Sequence, residues 1–243
     1  MAERWSWVPV RVLVLGRPGS GKGTQGARLA RLLGVPHIST GDLLRAEIDR
    51  DGPVGRQIAD HVESGRLVPD RLVGAALAAR LSAEDAQRDG FVLDGYPRTI
   101  AQAVTLERLL APARITAAIE LLVPEREAEH RLRSRFVCSE CGQPALARDP
   151  RVGGPVGGSA VCARCGGPLR RRADDDVSVI RERFDEFEES TKPLLEWLDR
   201  RRLLVTVDAN RPPDVVSENV LAALSPTLSR VGYVPFPSPQ LTA

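Results

Sequence analysis

The chain has 243 residues, 42% of them hydrophobic, which is enough to bury one large core with or without inserted subdomains. Its formal net charge is +2, and because acidic and basic residues are interspersed, the bulk charge favours neither a nucleic-acid nor a membrane partner. The N-terminal residues contain no apolar stretch long enough for a signal peptide or a membrane span, so we expect a cytoplasmic protein.

The first chemical signal is Gly-Arg-Pro-Gly-Ser-Gly-Lys-Gly-Thr at 16–24, between an apolar run at 12–15 and a helical pattern at 25–33 that stops at Gly34. Strand, glycine-rich loop and helix is the context of a phosphate-binding loop. Glycines let backbone N–H groups turn inward around an anion, and the helix N-terminus adds partial positive charge. Lys22 can reach the β- and γ-phosphates of a nucleotide, and a hydroxyl near the helix start, such as that of Thr24, can meet Mg²⁺. A glycine-rich turn without a ligand is the alternative.

Lys22 is also unusual in this chain. Lys22 and Lys192 are its two lysines, and the rest of its 34 Lys and Arg residues are arginines. In a chain so biased toward Arg, a Lys in this loop indicates that a compact ammonium is needed there. The general motif expects Ser or Thr directly after the Lys, whereas Gly23 stands at that position here.

Short apolar runs alternate with helical patterns along the rest of the chain. Such runs are typical of strands buried on both faces, so they predict a parallel α/β sheet. The predicted strands are 12–15, 37–38, 91–93, 117–122 and 203–207, and the predicted helices include 70–81, 100–110, 126–133 and 177–201.

Two segments do not fit this alternation, and we predict that they are insertions in a core that spans 10–224. Residues 40–68 are expected to form short amphipathic helices, and residues 134–175 are rich in Gly and Pro and contain all four cysteines. Residues 1–9 would be an N-terminal extension. The proline-rich residues 225–243 are expected to form an extended tail.

Two further motifs coincide with predicted strands. They are His-Ile-Ser-Thr-Gly-Asp-Leu-Leu-Arg at 37–45 and Phe-Val-Leu-Asp-Gly-Tyr-Pro-Arg-Thr-Ile-Ala-Gln at 91–102. Asp94 ends an apolar strand, so its carboxylate would emerge at the carboxyl edge of the sheet, where ligands bind in such folds. There it can hold the hydration shell of a phosphate-bound Mg²⁺. Arg45 and Arg98 suit phosphate, because a planar guanidinium binds two oxygens at once.

The four cysteines form two Cys-x₂-Cys pairs, Cys138 with Cys141 and Cys162 with Cys165, separated by twenty residues. This spacing lets two turns converge tetrahedrally on Zn²⁺, and four thiolates would make the zinc structural. Disulfides and unliganded thiols are alternatives, although a reducing compartment favours the metal. A zinc ribbon for nucleic acid is a functional alternative, but the insertion lacks a platform of aromatic residues on which bases could stack.

Together, the three motifs resemble the nucleoside monophosphate kinase family, and its adenylate kinases most closely, from about residue 10 to residue 224. The resemblance implies a doubly wound α/β core with a five-stranded parallel sheet, a P-loop NTPase-like fold with two mobile inserted subdomains. It further implies Mg²⁺-dependent phosphoryl transfer from ATP to AMP, giving two ADP. The segment 40–68 would close on AMP, and the zinc-binding lid 134–175 would close on ATP.

The resemblance also assigns roles to residues of this sequence. It implies an ATP site formed by Gly19, Ser20, Gly21, Lys22, Gly23, Thr24, Arg131 and Arg135. It implies an AMP site formed by Thr40, Arg45, Leu67, Val68, Gly95, Arg98, Gln102, Arg172 and Arg183. The implied catalytic set is Lys22, Asp94, Arg98, Arg131, Arg135, Arg172 and Arg183, with the metal ligands Cys138, Cys141, Cys162 and Cys165.

Some of these positions carry a simpler alternative. Thr40 and Asp42 could cap the helix that begins before residues 43–44, a role compatible with ligand binding. By resemblance, Gln102 would read the adenine edge. Asp174 and Asp175 would form an acidic pair at the lid boundary, whereas a run of three aspartates is more often a solvated turn.

The lid differs from the usual zinc-lid pattern. Ser-Arg-Phe at 134–136 replaces Gly-Arg-Arg, and a Tyr-His pair and an Asn-Pro-Pro stretch do not occur between Gly142 and Val161. The resemblance therefore leaves adenine stacking in the lid and donor preference open. A kinase of UMP, CMP or dAMP, or a catalytically weak nucleotide-binding zinc module, remains an alternative, and Thr40 with Gln102 favours AMP. We expect a monomer whose partners are ATP and AMP, with no nucleic acid and no membrane.

Overall fold

In the computed structural model, the protein is described over residues 8–142, 144–146, 153–156 and 159–233. The chain begins with β1 Val10–Leu15, α1 Lys22–Leu33, β2 His37–Ser39, α2 Thr40–Asp49, α3 Pro53–Glu63, α4 Asp70–Leu81, α5 Glu84–Asp89, β3 Gly90–Asp94, α6 Ile100–Leu110 and β4 Ala117–Leu122. It continues with α7 Glu125–Arg133, β5 Arg135–Cys138, β6 Pro144–Leu146, β7 Gly153–Val156, β8 Ser159–Val161 and β9 Leu169–Arg170. After a 3-10 turn at Ala173–Asp175 come α8 Val177–Glu186, a π-helical segment Phe187–Thr191, α9 Lys192–Arg200, β10 Leu204–Asp208 and α10 Pro213–Arg230.

The central sheet has five strands in the order β10-β4-β1-β3-β2, and all four pairings are parallel. The predicted five-stranded parallel sheet is therefore confirmed. The register pairs Val14 on β1 with Asp94 at the end of β3. Because parallel strands end at one edge, Asp94 and the loop that follows β1 meet there.

Helices cover both faces of the sheet, which confirms the doubly wound α/β architecture. Val10, Val12 and Val14 of β1 pack into a core with α1, α7, α8 and α10, whereas Leu13 and Leu15 pack into a core with α4, α6 and α9. Alternate residues of a strand point to opposite faces, so an all-apolar strand supplies both cores at once.

The two predicted insertions differ in structure. Residues 40–68 are mainly helical, as expected, and form α2 and α3. The described part of 134–175 forms small antiparallel sheets, β6-β5-β9 and β7-β8, where no strands were predicted. The segment 177–201 is helical as predicted, although five of its residues, Phe187–Thr191, form the π-helical segment.

The expectation of an extended tail from residue 225 is wrong for its first part, because α10 continues to Arg230 with Pro226 inside it. Tyr233 then folds back, is 5% exposed and donates a hydrogen bond from its hydroxyl to the carbonyl of Leu33 at 3.0 Å. These contacts anchor the helix against α1. The extension at 1–7 and the tail beyond residue 233 lie outside the described residues. Among the helices described, none has the length and apolar character that crossing a bilayer requires.

Candidate active site and metal centre

The loop between β1 and α1 has the backbone geometry of an anion cradle. Gly16, Gly19 and Gly21 all have positive φ, at 136°, 83° and 93°. A Cβ on Gly19 would lie 2.4 Å from the carbonyl oxygen of Ala128, so a side chain is excluded there. Gly21 is the N-cap of α1 and offers no side chain to its N–H groups, and the Ser20 hydroxyl is buried without a partner. Backbone N–H groups and a hydroxyl of this kind can bind a phosphate.

The ammonium of Lys22 lies over this loop. Its Nζ donates hydrogen bonds of 2.8 Å to the carbonyls of Gly16 and Arg17. Burial lowers the pKa of Lys22 to about 7; Asp94 opposes the shift, and the arginines around the site, among them Arg98, add to it. A phosphate anion beside Lys22 would favour its charged form.

Asp94 ends β3 next to the start of α1, as predicted. Asp94 is 8% exposed. Its carboxylate lies close to the first turn of α1, because a Cβ added to Gly23 would be 3.5 Å from the Asp94 Oδ2 atom. Burial raises the pKa of Asp94, and the neighbouring Lys22, His37 and Arg98 counteract this rise. Thr24 is exposed in the first turn of α1. The structure thus brings Lys22, Asp94 and the loop together at one edge of the sheet.

Arginines from several elements converge on this edge. Arg98 follows β3 and its Nε donates to the carbonyl of Gly95 at 3.0 Å.

Arg172 carries a buried Nε without a hydrogen-bond partner. Burial lowers the pKa of Arg172 to about 10, and the neighbouring Arg135 and Arg45 lower it further. Burial and then Arg135 likewise lower the pKa of Arg183, while Asp174 and Asp175 oppose the shift. The like charges destabilise one another, so an anionic ligand would relieve the cluster.

Asp174 and Asp175 hold two of these arginines. The Arg135 Nε donates to Asp175 at 2.8 Å, and Arg183 pairs with Asp174 at 3.0 Å and with Asp175 at 3.2 Å. Burial raises the pKa of Asp174, but Arg183, Arg135 and Arg172 outweigh burial and the pKa lies below its usual value. The alternative of a solvated acidic turn is therefore wrong for these two residues.

The residues expected around a monophosphate lie on the β2–β3 side of the edge. Thr40 is buried and donates from its hydroxyl to the carbonyl of Asp94 at 3.2 Å. The N-cap of α2 is Ser39, whose hydroxyl accepts from the backbone N–H of Asp42 at 3.2 Å. The alternative in which Thr40 or Asp42 caps the helix is therefore wrong, because Thr40 is already inside α2. Arg45 pairs with Asp42.

Gln102 is 3% exposed and both ends of its amide are engaged. Its Oε1 accepts from the backbone N–H of Arg98 at 2.7 Å, and its Nε2 donates to Asp70 at 2.6 Å. Leu67 and Val68 lie between α3 and α4; Leu67 is half-buried, and Val68 packs into the core, so that a ligand contact by Val68 would use its backbone. Sequence reasoning missed Asp70, which precedes Gln102 by thirty-two positions and shares no motif with it.

Arg131 is held by partners on its own helix and after β10. Its Nε donates to Glu127 at 2.8 Å and its terminal nitrogen to the carbonyl of Ala209 at 3.1 Å. The structure therefore places Arg131 beside the loop that follows β10.

The four cysteines form a cluster whose Sγ atoms all lie within 4.8 Å of one another. Two cross-pairs, Cys138 with Cys165 and Cys141 with Cys162, have Sγ–Sγ distances of 3.5 and 3.6 Å, and all four thiols are free of disulfides. Zinc–sulfur bonds of about 2.3 Å in a tetrahedron put sulfurs about 3.8 Å apart. The arrangement therefore fits a tetrahedral metal ion.

Matching backbone turns form the two halves of this cluster. The N–H of Gly142 donates to the carbonyl of Cys138 at 3.1 Å, and the N–H of Gly166 donates to that of Cys162 at 2.8 Å. Both glycines have positive φ, 68° and 75°, which favours Gly at each turn. The predicted convergence of two Cys-x₂-Cys turns is confirmed.

Comparison with known proteins agrees with this geometry. A sequence model of the family described as adenylate kinase matches residues 14–203. An adenylate kinase of Carboxydothermus hydrogenoformans is 37% identical over 219 residues, an alignment that covers 88% of this chain and 99% of that protein. One of Acidothermus cellulolyticus is 39% identical over 218 residues, covering 88% and 98%. One of Moorella thermoacetica is 40% identical over 206 residues, covering 83% and 92%. The chain therefore belongs to the adenylate kinase family, in a form that carries a four-cysteine cluster.

Proposed function

We propose that this member of the adenylate kinase family catalyses reversible phosphoryl transfer from Mg²⁺-bound ATP to AMP, giving two ADP. One observation carries the proposal: a glycine-rich anion cradle, the Lys22 ammonium, the Asp94 carboxylate and a cluster of arginines share one edge of the sheet. Phosphoryl transfer needs positioning and charge neutralisation more than a nucleophilic side chain. This site has that composition.

On the donor side, the loop residues Gly19 to Thr24 would hold the ATP phosphates. The α1 N-terminus and the loop N–H groups would bind the β-phosphate, and Lys22 would stabilise the negative charge that develops on the transferred group. Mg²⁺, when bound to ATP, would neutralise phosphate charge, and the Asp94 carboxylate would help to hold the hydrated ion. Arg131, beside the loop after β10, would contact the nucleoside part of ATP.

On the acceptor side, Arg45 and Arg98 would bind the phosphate of AMP. Gln102 would face the adenine edge, with Thr40, Leu67, Val68 and Gly95 lining the site. The fixed orientation of the Gln102 amide supports this role, because the Asp70 carboxylate accepts only from Nε2 and the Arg98 N–H donates only to Oε1.

Between donor and acceptor, Arg135, Arg172 and Arg183 would neutralise the phosphates being joined. Arg135 and Arg172 flank the cysteine-bearing segment, so its movement would carry them over the reacting groups. We propose that 40–68 closes on AMP and 134–175 on ATP around the 10–224 core. Such closure excludes water, which would otherwise compete with AMP as acceptor.

We propose that the four-cysteine cluster binds Zn²⁺ in a structural role. Cys138, Cys141, Cys162 and Cys165 would fill a tetrahedral first shell, which leaves no open position for substrate. Because these thiols are free, the protein suits a reducing compartment such as the cytoplasm, where we propose that it acts as a monomer.

A coupled assay of phosphoryl transfer from Mg²⁺-ATP to AMP, UMP, CMP, GMP and dAMP tests the proposal. We expect rapid ADP formation with AMP and much slower reaction with the pyrimidine nucleotides. Activity with UMP or CMP would support the phosphoryl-transfer mechanism but contradict AMP as the specific acceptor. Nucleotide binding by folded, zinc-loaded protein without transfer to any acceptor would favour a binding module instead.

A further inference from the structure

The side chain of Arg17, the second residue of the phosphate-binding loop, has unusually many anchors. Its guanidinium pairs with Glu125 at 2.8 Å and with Glu188 at 2.9 Å. Its Cζ also lies over the rings of Phe184 and Phe187, 5.5 and 5.6 Å from their centroids. The Arg17 side chain is 18% exposed, so these contacts are only partly screened by solvent.

The backbone of Arg17 holds the residues that would bind phosphate. Its carbonyl accepts the 2.8 Å hydrogen bond from Lys22 Nζ and a 3.1 Å hydrogen bond from the backbone N–H of Ser20. The Arg17 carbonyl, together with that of Gly16, therefore holds the Lys22 ammonium in place. The side-chain anchors of Arg17 restrict, in turn, the movement of its peptide.

The anchors lie on the segment that carries another residue of the arginine cluster. Phe184 directly follows Arg183 on α8, and Phe187 and Glu188 belong to the π-helical segment that continues α8. π-helical turns often mark functional positions in helices. Arg17 thus links the phosphate-binding loop to the helix of Arg183 through contacts that all lie within the five residues after Arg183.

We propose that Arg17 is a positioning residue for phosphoryl transfer, which holds Lys22 and the Arg183-bearing helix in one fixed arrangement. The inference rests on the proposed function, because it assumes that Lys22 and Arg183 act on the same phosphoryl group. The Arg17 guanidinium contacts Glu125, Glu188 and the two phenylalanine rings, and it does not act on Lys22 or Arg183 directly. Its effect passes through the loop carbonyl on one side and through the aromatic and acidic anchors on the other.

An exposed ion pair to Glu125 alone would not support this role, since the Glu125 side chain is 65% exposed and such pairs contribute little. The Glu188 side chain is less exposed, at 40%, and binds both Arg17 and Lys192, the latter at 2.7 Å. The planar guanidinium of Arg17 also lies over the rings of Phe184 and Phe187, and a lysine ammonium would reproduce this contact only in part.

Steady-state kinetics of Arg17→Ala, Arg17→Lys and Glu188→Gln test the proposal. We expect Arg17→Ala to lower kcat about tenfold with KM for AMP within about twofold, because misalignment affects the transition state and not the acceptor site. Arg17→Lys should recover part of kcat, and Glu188→Gln should show a smaller loss. Glu188→Gln leaves the loop sequence intact, so it tests the contact even if Arg17→Ala folds poorly.

Arg201→Ala is the matched control. Arg201 also combines an ion pair, 2.8 Å to Glu107, with a ring contact, 4.1 Å from Cζ to the centroid of Trp197. It precedes β10, at the amino end of that strand, whereas the phosphate-binding loop follows the carboxyl end of the parallel strand β1. We expect it to lower stability without changing kcat. Equal kcat losses in Arg17→Ala and Arg201→Ala, or an unchanged kcat in Arg17→Ala, would overturn the positioning role.

A spectroscopic measurement separates this inference from the proposed function. Because the chain has two lysines, Lys22 and Lys192, ¹⁵Nζ-lysine labelling yields two side-chain signals. In ligand-free protein, Arg17→Ala should shift the Lys22 signal and Arg201→Ala should not. If the wild type transferred no phosphate, the proposed function would fail, while the Lys22 signal would still decide whether Arg17 positions that ammonium.

Discussion

The carboxylate of Asp175 is shared by Arg135 and Arg183. Arg135 lies at the start of the cysteine-bearing segment, and Arg183 lies on α8. The Asp175 side chain is fully buried, whereas both arginine side chains are 19% exposed. A buried carboxylate between two guanidiniums lets two like charges lie close together where a phosphate would later bind.

Replacement of Asp175 should therefore be costly. We expect Asp175→Ala to lower the free energy of unfolding by about 3 kcal/mol, because it leaves two arginines without their buried acceptor. Asp176, the exposed N-cap of α8 with no side-chain cap hydrogen bond, provides the control. Asp176→Ala should stay within about 0.5 kcal/mol in the same denaturant titration; equal losses would contradict the difference in burial.

Lys22→Met should abolish useful turnover. The substitution keeps the length of the side chain and removes the charge that neutralises the transferred phosphate, so we expect kcat to fall at least about a hundredfold. Lys192→Met, which removes the other lysine at an exposed position, should leave turnover nearly unchanged. Near-normal ADP formation by a folded Lys22→Met protein would rule out the assigned role of the loop.

Lys22 should also impose a pH dependence on the ligand-free protein. The unfolded chain keeps this lysine protonated up to about pH 10.5, whereas burial lowers the folded-state pKa to about 7. Between these values the unfolded state binds more protons, so this contribution makes the protein more stable as pH rises from 7 toward 10. Because the side chain is half-buried, solvent screening makes the gain smaller than the full shift implies.

Denaturant titrations of wild type and Lys22→Met at pH 7, 8 and 9 measure this effect. As pH rises from 7 to 9, the free energy of unfolding of the wild type should increase relative to that of Lys22→Met. Saturating nucleotide should reduce the trend, because phosphate stabilises the charged lysine. A difference that stays constant across this range would show that Lys22 keeps an ordinary pKa.

Arg98→Ala should chiefly affect AMP. Arg98 lies beside Gly95 and Gln102 at the end of β3, so its loss should raise KM for AMP roughly tenfold or more and change KM for ATP much less. Arg88→Ala, which removes an exposed guanidinium paired with Asp89, serves as the control. An unchanged response to AMP concentration would place the acceptor phosphate elsewhere.

Removal of a metal ion held by the four cysteines should lower heat stability while the parallel sheet survives. Because the metal would bind the folded cysteine cluster, we expect chelation or Cys141→Ser to lower the melting temperature by roughly 5 °C or more. Ser139→Ala, in the same turn but with no ligand atom, should not. Calorimetry and circular dichroism on protein with a measured zinc content would decide, and an unchanged melting profile after complete zinc loss would refute a stabilising role.

Much of the fold and site could be predicted from short stretches of the chain. The five strands follow from apolar runs, because a strand buried on both faces has no polar position to interrupt it. The loop around Lys22, the placement of Asp94 at a strand end and the two Cys-x₂-Cys turns are equally local. Each depends on a few consecutive residues and on the rule that parallel strands end together.

The boundaries of elements were less predictable. Residues 225–230 contain a proline and precede more prolines, yet they are helical. The reason is tertiary: Leu224 and Leu228 are buried on one face of α10, and that burial outweighs the local preference. Similarly, Ser39 and not Thr40 caps α2, because Thr40 is drawn to the carbonyl of Asp94 in a neighbouring strand.

The order of residues along the chain specifies which chemical groups are available to this protein: a glycine-rich loop, a carboxylate at a strand end, arginines and four thiols. Which of the charged groups meet depends on how the chain folds. The pairing of Asp175 with Arg135 spans forty positions, and that of Arg17 with Glu188 spans 171. Contacts between such distant residues depend on how helices pack on the sheet, and no local pattern encodes that packing.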